Sequence, residues 1–413
     1  MRRGTPVILI ALIGLVLTGR SAMAAQILIS PGQKWDDQAR FARPGDEIIL
    51  MPGYHRDGVL ENIRGTPENP LVIRGLNAEN PAIIRGSRYG VRLVRCRNVV
   101  FKHVIVENAE INGFLIDGSG SDRPVPGAAD PTEEPANIRL INVLVRDTGE
   151  AKHKRNAIEL HRVGHVTLES CHVEGWGGVG VEIVGCANVI VEKCTIRGTG
   201  AYQPVAGLRA RAGSSDITVA HCRFENAGIS GVCAGGASEL KDFRIGVLEN
   251  AVKASIFEVR QITIERNFFV GGACAITLTH SDRVTVTRNT IIEPGYYVFC
   301  LVQTQDNSQI GPTRRCTFSR NLVTWKAGAM ASLFLIDKGV EVASLKMEQN
   351  LWWSAESATD RARLGQVPQS ERSPQQFNVD PRLDRELAPT ALEANGFGAL
   401  PVRVPDTGPV RNQ

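Results

Sequence analysis

Residues 262–267 read ITIERN, and residues 284–289, which begin 22 residues later, read VTVTRN. Both segments alternate apolar and polar side chains, which is the period of a β-strand with one buried face. The same pattern recurs elsewhere in the chain, at 99–104, 138–143, 166–171, 189–194, 217–222, 316–321 and 345–350. This repeat decides the predicted fold.

Second short strands with the same alternation lie between the repeats, at 113–116, 157–160, 180–183, 207–209, 275–278 and 333–336. A unit of 22 residues has room for two or three such strands but not for a crossover helix as well. Glycine, with 41 of 413 residues, favours short strands and tight turns because it destabilises a helix interior by about 1 kcal/mol. The repeat therefore predicts a parallel β-solenoid rather than a βαβ array.

The last position of each repeat supports this interpretation. It is Val or Cys in the first five copies and Asn in the last four. Equivalent residues of successive coils lie about 4.8 Å apart, so we expect the Asn side chains to bond the turn backbone and one another. Cys171, Cys194 and Cys222 are predicted to fill the same position as packed thiols, although their spacing also permits a disulfide.

The N-terminus has the layout of a secretory signal peptide. Arg2 and Arg3 precede an apolar run at 7–17 and small residues, with cleavage expected after Ala24. The run is shorter than the about 20 residues of a membrane-spanning helix. We therefore expect a periplasmic or secreted protein without a membrane span in its mature form. Its predicted parts are a signal peptide (1–24), a capped solenoid (25–380) and a tail that packs on or leaves it (381–413).

The charge balance bears on the partner, and two segments are predicted to cover the ends of the solenoid. The 47 basic and 43 acidic residues give a net charge of only +4, so we expect neither nucleic acid nor an anionic membrane as partner. The helical spacing of Trp35, Ala39 and Phe41 predicts an N-terminal cap helix over the first coil. The polar segment 354–376 is predicted to be a loop or capping excursion at the other end.

Several segments resemble the pectin-lyase-like right-handed parallel β-helix superfamily, in particular its exported bacterial members. They are ARPGDEIILMPGY at 42–54, GTPENPLVI at 65–73 and NVDP at 378–381. The resemblance implies an all-β, single-stranded right-handed parallel β-helix of about ten coils. It also implies an acidic polysaccharide as partner.

The segment 278–280 and the stretch 66–84 resemble the alginate lyase and chondroitinase B family more faintly. In that family a catalytic Arg precedes the His that matches His280, whereas this chain has Thr279 there. The clustered Asp residues of pectate lyases, the Asp-Pro-His-Asp motif of alginate epimerases and the polygalacturonase motifs are not found in the sequence. The resemblance thus predicts a substrate class more than a reaction.

Aligning the second strands places polar side chains in two columns on one outer face. The first column reads Glu159, Glu182, Arg209, Cys233 and Thr277, and the second reads His161, Val184, Arg211, Gly235 and Thr279. Carboxylates, a His and two Arg would thus lie within about 10–15 Å of one another. The alternative is a solvated face of ion pairs with no further role.

Insertions at 117–135, 236–260 and 303–315 fall between the same two strand types and predict a binding wall along one edge. In the second insertion, Phe243 is predicted to anchor the loop, and Arg244 to act as a loop staple or a substrate clamp. The residues predicted to bind substrate are Lys152, Lys154, Arg155, Arg244, Thr277 and His280.

The favoured hypothesis is a polysaccharide lyase that cleaves an acidic, uronate-containing glycan by β-elimination. Uronate elimination requires a neutralised carboxylate and a base. In this hypothesis Glu159 and Glu182 hold Ca²⁺, while Arg209 or Arg211 neutralises the substrate or acts as the base. His161 or Lys241 would serve the other proton step. Two alternatives stay open: a non-catalytic binder, and a hydrolase whose acid/base pair is Glu159 and Glu182, about 5 Å apart. We expect a monomer in each case.

Overall fold

The computed structural model describes residues 24–119, 132, 135–149, 155–200, 202, 204–250, 255–303, 309–356 and 359–401. This part of the chain winds into three sheets, named here A, B and C, in which every paired strand is parallel. From Glu47 onward each coil contributes one strand to A, then B, then C. The fold is a single-stranded right-handed parallel β-helix, which confirms the prediction.

Sheet A contains the repeats from which the fold was predicted. Its strands are Gln26–Ile29, Glu47–Leu50, Leu71–Gly75, Val99–Lys102, Ile138–Ile141, Gly164–Glu169, Ala187–Glu192, Ser214–Ala220, Val259–Glu265, Ser281–Thr287, Thr317–Ser319 and Lys346–Glu348. Sheet B contains Gly53–Arg56, Ala82–Arg85, Val104–Glu107, Leu144–Thr148, His172–Trp176, Thr195–Arg197, Arg223–Glu225, Phe268–Val270, Thr290–Ile292, Leu322–Trp325 and Leu351–Ser354. Its strands are short, which is why the sequence repeat alone did not reveal them.

Sheet C carries the second set of predicted strands. They are Gly58–Glu61, Tyr89–Val94, Asn112–Asp117, Ile158–His161, Val179–Val184, Ala206–Arg211, Ser230–Ala234, Cys274–Thr279, Tyr297–Val302 and Phe334–Ile336. The described helices are short: Trp35–Phe41, Ile245–Asn250 and Arg361–Leu364 are α-helical, and Leu240–Asp242, Val342–Ser344, Gln369–Glu371 and Leu392–Ala394 are 3₁₀. None of the helices in the described ranges has the length and apolarity to cross a membrane.

The corner from sheet A to sheet B is the same in nine coils. One residue in each adopts a left-handed backbone, at positions 103, 142, 170, 193, 221, 266, 288, 320 and 349. A single left-handed residue bends the chain sharply from one sheet to the next, and the side chain that follows points inward. That next residue is the repeat's last position, the column of Val, Cys and Asn.

The Asn column forms the predicted ladder. The Oδ1 atom of Asn289 accepts hydrogen bonds from the backbone N and the Nδ2 atom of Asn267, each at 3.0 Å. Asn289 donates in the same way to Asn321, and Asn321 to Asn350. The ladder ends on the buried Glu371 carboxylate, which accepts from the Asn350 N and Nδ2 at 2.7 and 2.9 Å. Every step thus satisfies a buried amide, as burial requires.

All nine cysteines have free thiols. Within the column, the Cys171 backbone N lies 3.4 Å from the Cys194 Sγ atom as a hydrogen-bond donor, so a thiol takes the place of the amide oxygen. Burial raises the pKa of the Cys171 and Cys194 thiols well above the ordinary value. The packed-thiol interpretation is therefore the one the structure supports.

Both ends of the core are covered. Trp35 of the helix Trp35–Phe41 is fully buried and donates through Nε1 to the Arg56 carbonyl oxygen at 2.9 Å, whereas Phe41 is 85% exposed and covers nothing. At the other end, Leu364 and Val367 of the segment 354–376 join the main core. The tail then packs on the outside of sheet B, where Ala391 and Ala394 contact a cluster with Leu322 and Leu351.

Candidate functional site

The outer face of sheet C carries the predicted columns in the predicted register. Glu159 pairs with Glu182, and Glu182 with Arg209, across neighbouring strands. The first column continues through Cys233, Thr277 and Cys300. In the second column Asp117 pairs with His161 of the next coil, and Val184 pairs with Arg211. The charged residues of both columns are treated together. We call Glu159, His161, Glu182, Arg209 and Arg211 the charged column.

Glu182 is the centre of the charged column. Its side chain is only 1% exposed although it points outward, because two guanidinium groups cover it. The Arg209 Nε atom donates to both carboxylate oxygens, at 2.9 and 3.2 Å, and the Arg211 Nε atom donates at 2.6 Å. One buried carboxylate thus holds two guanidinium groups in place on the outer face of sheet C.

The charge state of Arg209 follows from this contact. Burial lowers the pKa of its guanidinium, but the Glu182 charge and hydrogen bonds raise it by more, and the net pKa is raised. Arg209 is therefore a permanent cation, which suits neutralising an anion and not accepting a proton. Among the described residues, its Nη groups have no hydrogen-bond acceptor, and the side chain is about a quarter exposed.

The second predicted insertion forms the wall beside Arg211. The Arg211 Nη1 atom donates to the Ser238 Oγ atom at 3.3 Å and lies 3.7 Å from Asp242 Oδ2. Ser238 is itself held by the fully buried Glu258, whose carboxylate accepts from the Ser238 N and Oγ and from the Ala212 N at 2.7–2.8 Å. The buried Phe243 anchors the same loop, as predicted.

Glu258 was missed by sequence reasoning, and so was Asp117. Asp117 could have been found by extending the second column back by one coil, because it pairs with His161 in register. Its Oδ1 atom lies 3.4 Å from His161 Nδ1 and accepts from Ser119. No sequence signal marks Glu258, because its contacts reach 46 residues back along the chain to Ala212.

Glu159 is engaged differently from Glu182. Its Oε2 atom accepts hydrogen bonds from the side-chain amides of Asn112 and Asn156 at 3.1 and 3.0 Å. Asn156 is fixed in turn, since its Oδ1 atom accepts from the Val179 backbone N at 3.0 Å. The carboxylate is thus oriented by neutral donors on the corner that leads from sheet B to sheet C.

Glu182 does not fit the calcium site predicted for the two carboxylates. Two guanidinium nitrogens within 3.2 Å of Glu182 occupy the oxygens that a cation would need, and their charge repels a dication. In the described part of the chain, no three His, Cys, Asp or Glu side chains come together as a metal-ligand group. The arrangement thus speaks against Glu182 as a Ca²⁺ ligand, and Ca²⁺ at Glu159 stays a prediction.

The remaining predicted residues are spread over three places. Lys241 lies on the loop wall, half-exposed, with its Nζ atom 2.5 Å from Glu239 Oε2. Arg244 is a loop staple, because its Nη1 and Nη2 atoms donate to Thr132 Oγ1 and Ser215 Oγ at 3.1 and 3.3 Å. Arg155 is exposed at the opposite corner, and Lys152 and Lys154 fall outside the described residues.

Thr277 and His280 differ in their access to solvent. Thr277 faces outward and shares a 2.6 Å hydrogen bond with Ser230 Oγ. His280, in contrast, is 1% exposed, with its Nδ1 atom 3.0 Å from the Gly311 carbonyl oxygen. The third insertion covers this ring, so the structure corrects the expectation that His280 meets the substrate.

A cavity of about 580 Å³ lies on sheet C next to Arg209. Tyr296, Tyr297 and Leu335 contribute to its walls, together with the thiols of Cys233, Cys274 and Cys300. The Sγ atoms of Cys274 and Cys300 are 3.2 Å apart, and Cys274 donates. We call this the apolar cavity; sequence reasoning missed it because its walls come from five coils.

Comparisons with known proteins agree with this architecture. Residues 153–323 match a family model described as a right handed beta helix region. The A-module of a mannuronan C-5 epimerase from Azotobacter vinelandii is similar in structure, with 13% identity and a TM-score of 0.53 over 78% of this chain and 90% of the module.

Two lyases match more loosely. They are an alginate lyase from Paenibacillus sp. str. FPU-7 (14% identity, TM-score 0.43, 79% of this chain and 98% of that one) and the pectate lyase Pel9A (12%, 0.47, 78% and 80%). No curated protein matches the chain significantly. Likeness at these identities establishes the fold and not the activity. By its three all-parallel sheets and these matches, the chain has the fold of a right-handed parallel β-helix.

Proposed function

We propose that this is an exported polysaccharide lyase that cleaves a uronate-containing glycan by β-elimination at the charged column. The observation that carries the proposal is the buried Glu182 carboxylate shared by Arg209 and Arg211. One buried anion orients two guanidinium groups on a face walled by loops, and Arg209, which bonds Glu182 through Nε alone, keeps its Nη donors for a substrate carboxylate. A neutral glycan has no carboxylate for these donors.

The first requirement of elimination is a neutralised carboxylate. The C5 proton of a uronate is acidic only when the negative charge that develops on the adjacent carboxylate is stabilised. Arg209 supplies a fixed cation with unused Nη donors for that purpose. Because Glu182 and the loop wall hold both guanidiniums in place, little reorganisation is needed when substrate binds.

The second requirement is proton transfer. A base removes the C5 proton, the electron pair forms the C4–C5 double bond, the C4–O bond breaks, and the leaving oxygen takes a proton. We assign His161 and Lys241 to these two steps. Asp117 orients the His161 ring. Lys241 lies on the loop wall, and the next residue, Asp242, contacts Arg211.

A hydrolase has less support from the same geometry. It would need one of the two glutamates as a proton donor, yet Glu182 accepts from two guanidiniums and Glu159 from two amides. Such donors stabilise the ionised carboxylate. The epimerase module that shares this fold acts by name on mannuronan, which supports a glycan as the substrate class.

The test is a panel of acidic polysaccharides, assayed for unsaturated products by ultraviolet absorbance and for new reducing ends. With an active substrate, we expect Arg209→Gln to lower turnover by about 100-fold. Arg197→Gln is the matched control, because Arg197 also pairs with a glutamate of the neighbouring coil, Glu174, but on sheet B. The control should keep wild-type turnover.

The outcomes separate the three candidate functions. Unsaturated ends lost in Arg209→Gln support the lyase. Saturated ends would establish a hydrolase instead. Retention of acidic glycans without any product would establish a non-catalytic binder, and equal turnover in Arg209→Gln and Arg197→Gln would remove Arg209 from the mechanism.

A further inference from the structure

We infer that Arg260, Arg283, Arg314 and Arg315 form a second anion-binding subsite, around the corner from sheet C, that holds carboxylate or sulfate groups of the acidic glycan. We call these four residues the arginine cluster. The choice of a glycan as its ligand rests on the proposed function. No motif in the sequence singles out these residues, because they come from three separate coils.

The arginine cluster is built around one carboxylate. Asp282 is 1% exposed, and its oxygens accept from Arg315 Nε and Nη2 at 2.7 and 2.5 Å and from Arg314 Nε at 3.3 Å. The Nε atoms of Arg283 and Arg260 lie 3.7 and 4.0 Å away. The backbone register explains the convergence, because Arg260 pairs with Asp282 across neighbouring strands and Asp282 forms an isolated bridge with Arg314 of the next coil.

The cluster carries more positive charge than the protein compensates. Within the described residues, Asp282 is the sole carboxylate within 4 Å of these four guanidiniums. Burial lowers the pKa of Arg260; Asp282 raises it, and the other three arginines lower it again, for a net lowering. Four cations against one anion leave an excess of three positive charges, which an external anion would relieve.

The guanidiniums are also held in place with donors to spare. Those of Arg260 and Arg314 lie 4.9 and 4.7 Å from the ring centre of the buried Phe257, and Arg260 Nη2 donates to the Ser255 carbonyl oxygen at 2.7 Å. Each guanidinium has five N–H donors, of which described protein acceptors use few. All four side chains are between about a third and a half exposed. A preorganised, accessible fork of this kind matches carboxylate and sulfate oxygens.

The position of the cluster suits a chain-like substrate. Thr279 lines the apolar cavity next to Arg209, and Asp282 follows three residues later, just after the corner at His280. A polyuronate repeats its carboxylate with every sugar. One polymer chain could thus place one carboxylate at Arg209 and another at the arginine cluster.

The test compares the double variant Arg283→Gln/Arg315→Gln with the wild type in binding polygalacturonate, dextran sulfate and neutral dextran. Arg320→Gln/Arg382→Gln is the control, because it removes the same charge from two exposed arginines that also have left-handed backbones. We expect the first variant to bind one or both polyanions about tenfold more weakly, the control to change less than twofold, and neutral dextran to bind to none.

Folding is checked by thermal unfolding, and the single variant Arg283→Gln serves if the double variant is unstable, because Arg283 makes only a 3.7 Å contact with Asp282. Inorganic sulfate should raise the unfolding temperature of the wild type more than that of Arg283→Gln/Arg315→Gln or of Arg283→Gln. Polyanion affinities within twofold of the wild type would overturn the inference. Because the readout is binding, a protein that cleaves nothing still tests the cluster, so the two proposals fail separately.

Discussion

The two halves of the outer face of sheet C share one column and one backbone but differ in chemistry. Glu159, Glu182 and Arg209 occupy it in the first half, and Cys233, Thr277 and Cys300 continue it in the second. The first half is stabilised by ion pairs and the second encloses the apolar cavity. A solenoid therefore supplies a uniform scaffold on which side chains at one position decide what each region can bind.

The difference is also energetic. A buried carboxylate such as Glu182 is tolerated only while its partners are present, so the charged half is sensitive to single substitutions. The apolar half depends on volume and shape, so substitutions there change ligand access more than folding. Three predictions test this contrast.

The largest effect is expected from Glu182→Gln. Removing the carboxylate leaves Arg209 without an anionic partner and Arg211 with only Asp242, 3.7 Å away, and we expect a loss of about 3 kcal/mol in the free energy of unfolding. Urea unfolding measures this. The control Glu174→Gln breaks the more exposed pair with Arg197 and should cost less than about 1 kcal/mol. Equal losses in the two variants would contradict the special status of Glu182.

A smaller effect is expected in the apolar half. Cys300→Phe adds a ring inside the apolar cavity, and binding of an apolar fluorescent dye should weaken about tenfold while the unfolding midpoint changes little. Ile190→Phe is the control, because it adds a similar ring on the exposed outer face of sheet A. Dye binding that is unchanged by Cys300→Phe would show that the cavity is not a binding region.

The smallest effect concerns the Cys300 thiol. The hydrogen bond donated by Cys274 lowers the pKa of Cys300, although burial opposes it, whereas burial raises the pKa of Cys316 to about 12. A cysteine is mostly thiolate above its pKa, which is about 8.5 for an ordinary thiol. The rate of Cys300 alkylation should therefore reach its plateau at a lower pH than the rate for an ordinary thiol. Mass spectrometry after short exposure to an alkylating reagent measures the rates.

Cys274→Ala removes the donor, so the pKa of Cys300 should rise and its labelling at neutral pH should slow several-fold. Labelling of Cys316 should be slow in both proteins. If Cys300 in the wild type reacts no faster than Cys316, the 3.2 Å contact with Cys274 does not lower the pKa of Cys300.

The parts that sequence reasoning predicted correctly all depend on the repeat. The strands of sheets A and C, the register that joins Glu159, Glu182 and Arg209, and the Asn ladder follow from residues at equivalent positions of successive coils. The location of the three insertions at one corner follows in the same way. In a parallel stack, residues at equivalent positions of successive coils are neighbours in space. Aligning the repeats therefore predicts which residues contact one another.

The parts that it missed or misplaced depend on the insertions, which do not repeat. Glu258 fixes the loop wall from a distant position, the third insertion buries His280, and Asp282 gathers arginines from three coils. Calcium at Glu182 was predicted because the alignment showed a pair of carboxylates without showing that both arginines reach the same one.

The amino-acid sequence by itself thus determined the solenoid, its register and the composition of its outer columns, because strand alternation and corner residues are local and recur in every coil. Only the tertiary structure decided which of these side chains are charged partners, which are buried and which surround the apolar cavity. The physical reason is that long side chains such as Arg209 reach across coils, and irregular loops cover some positions and expose others.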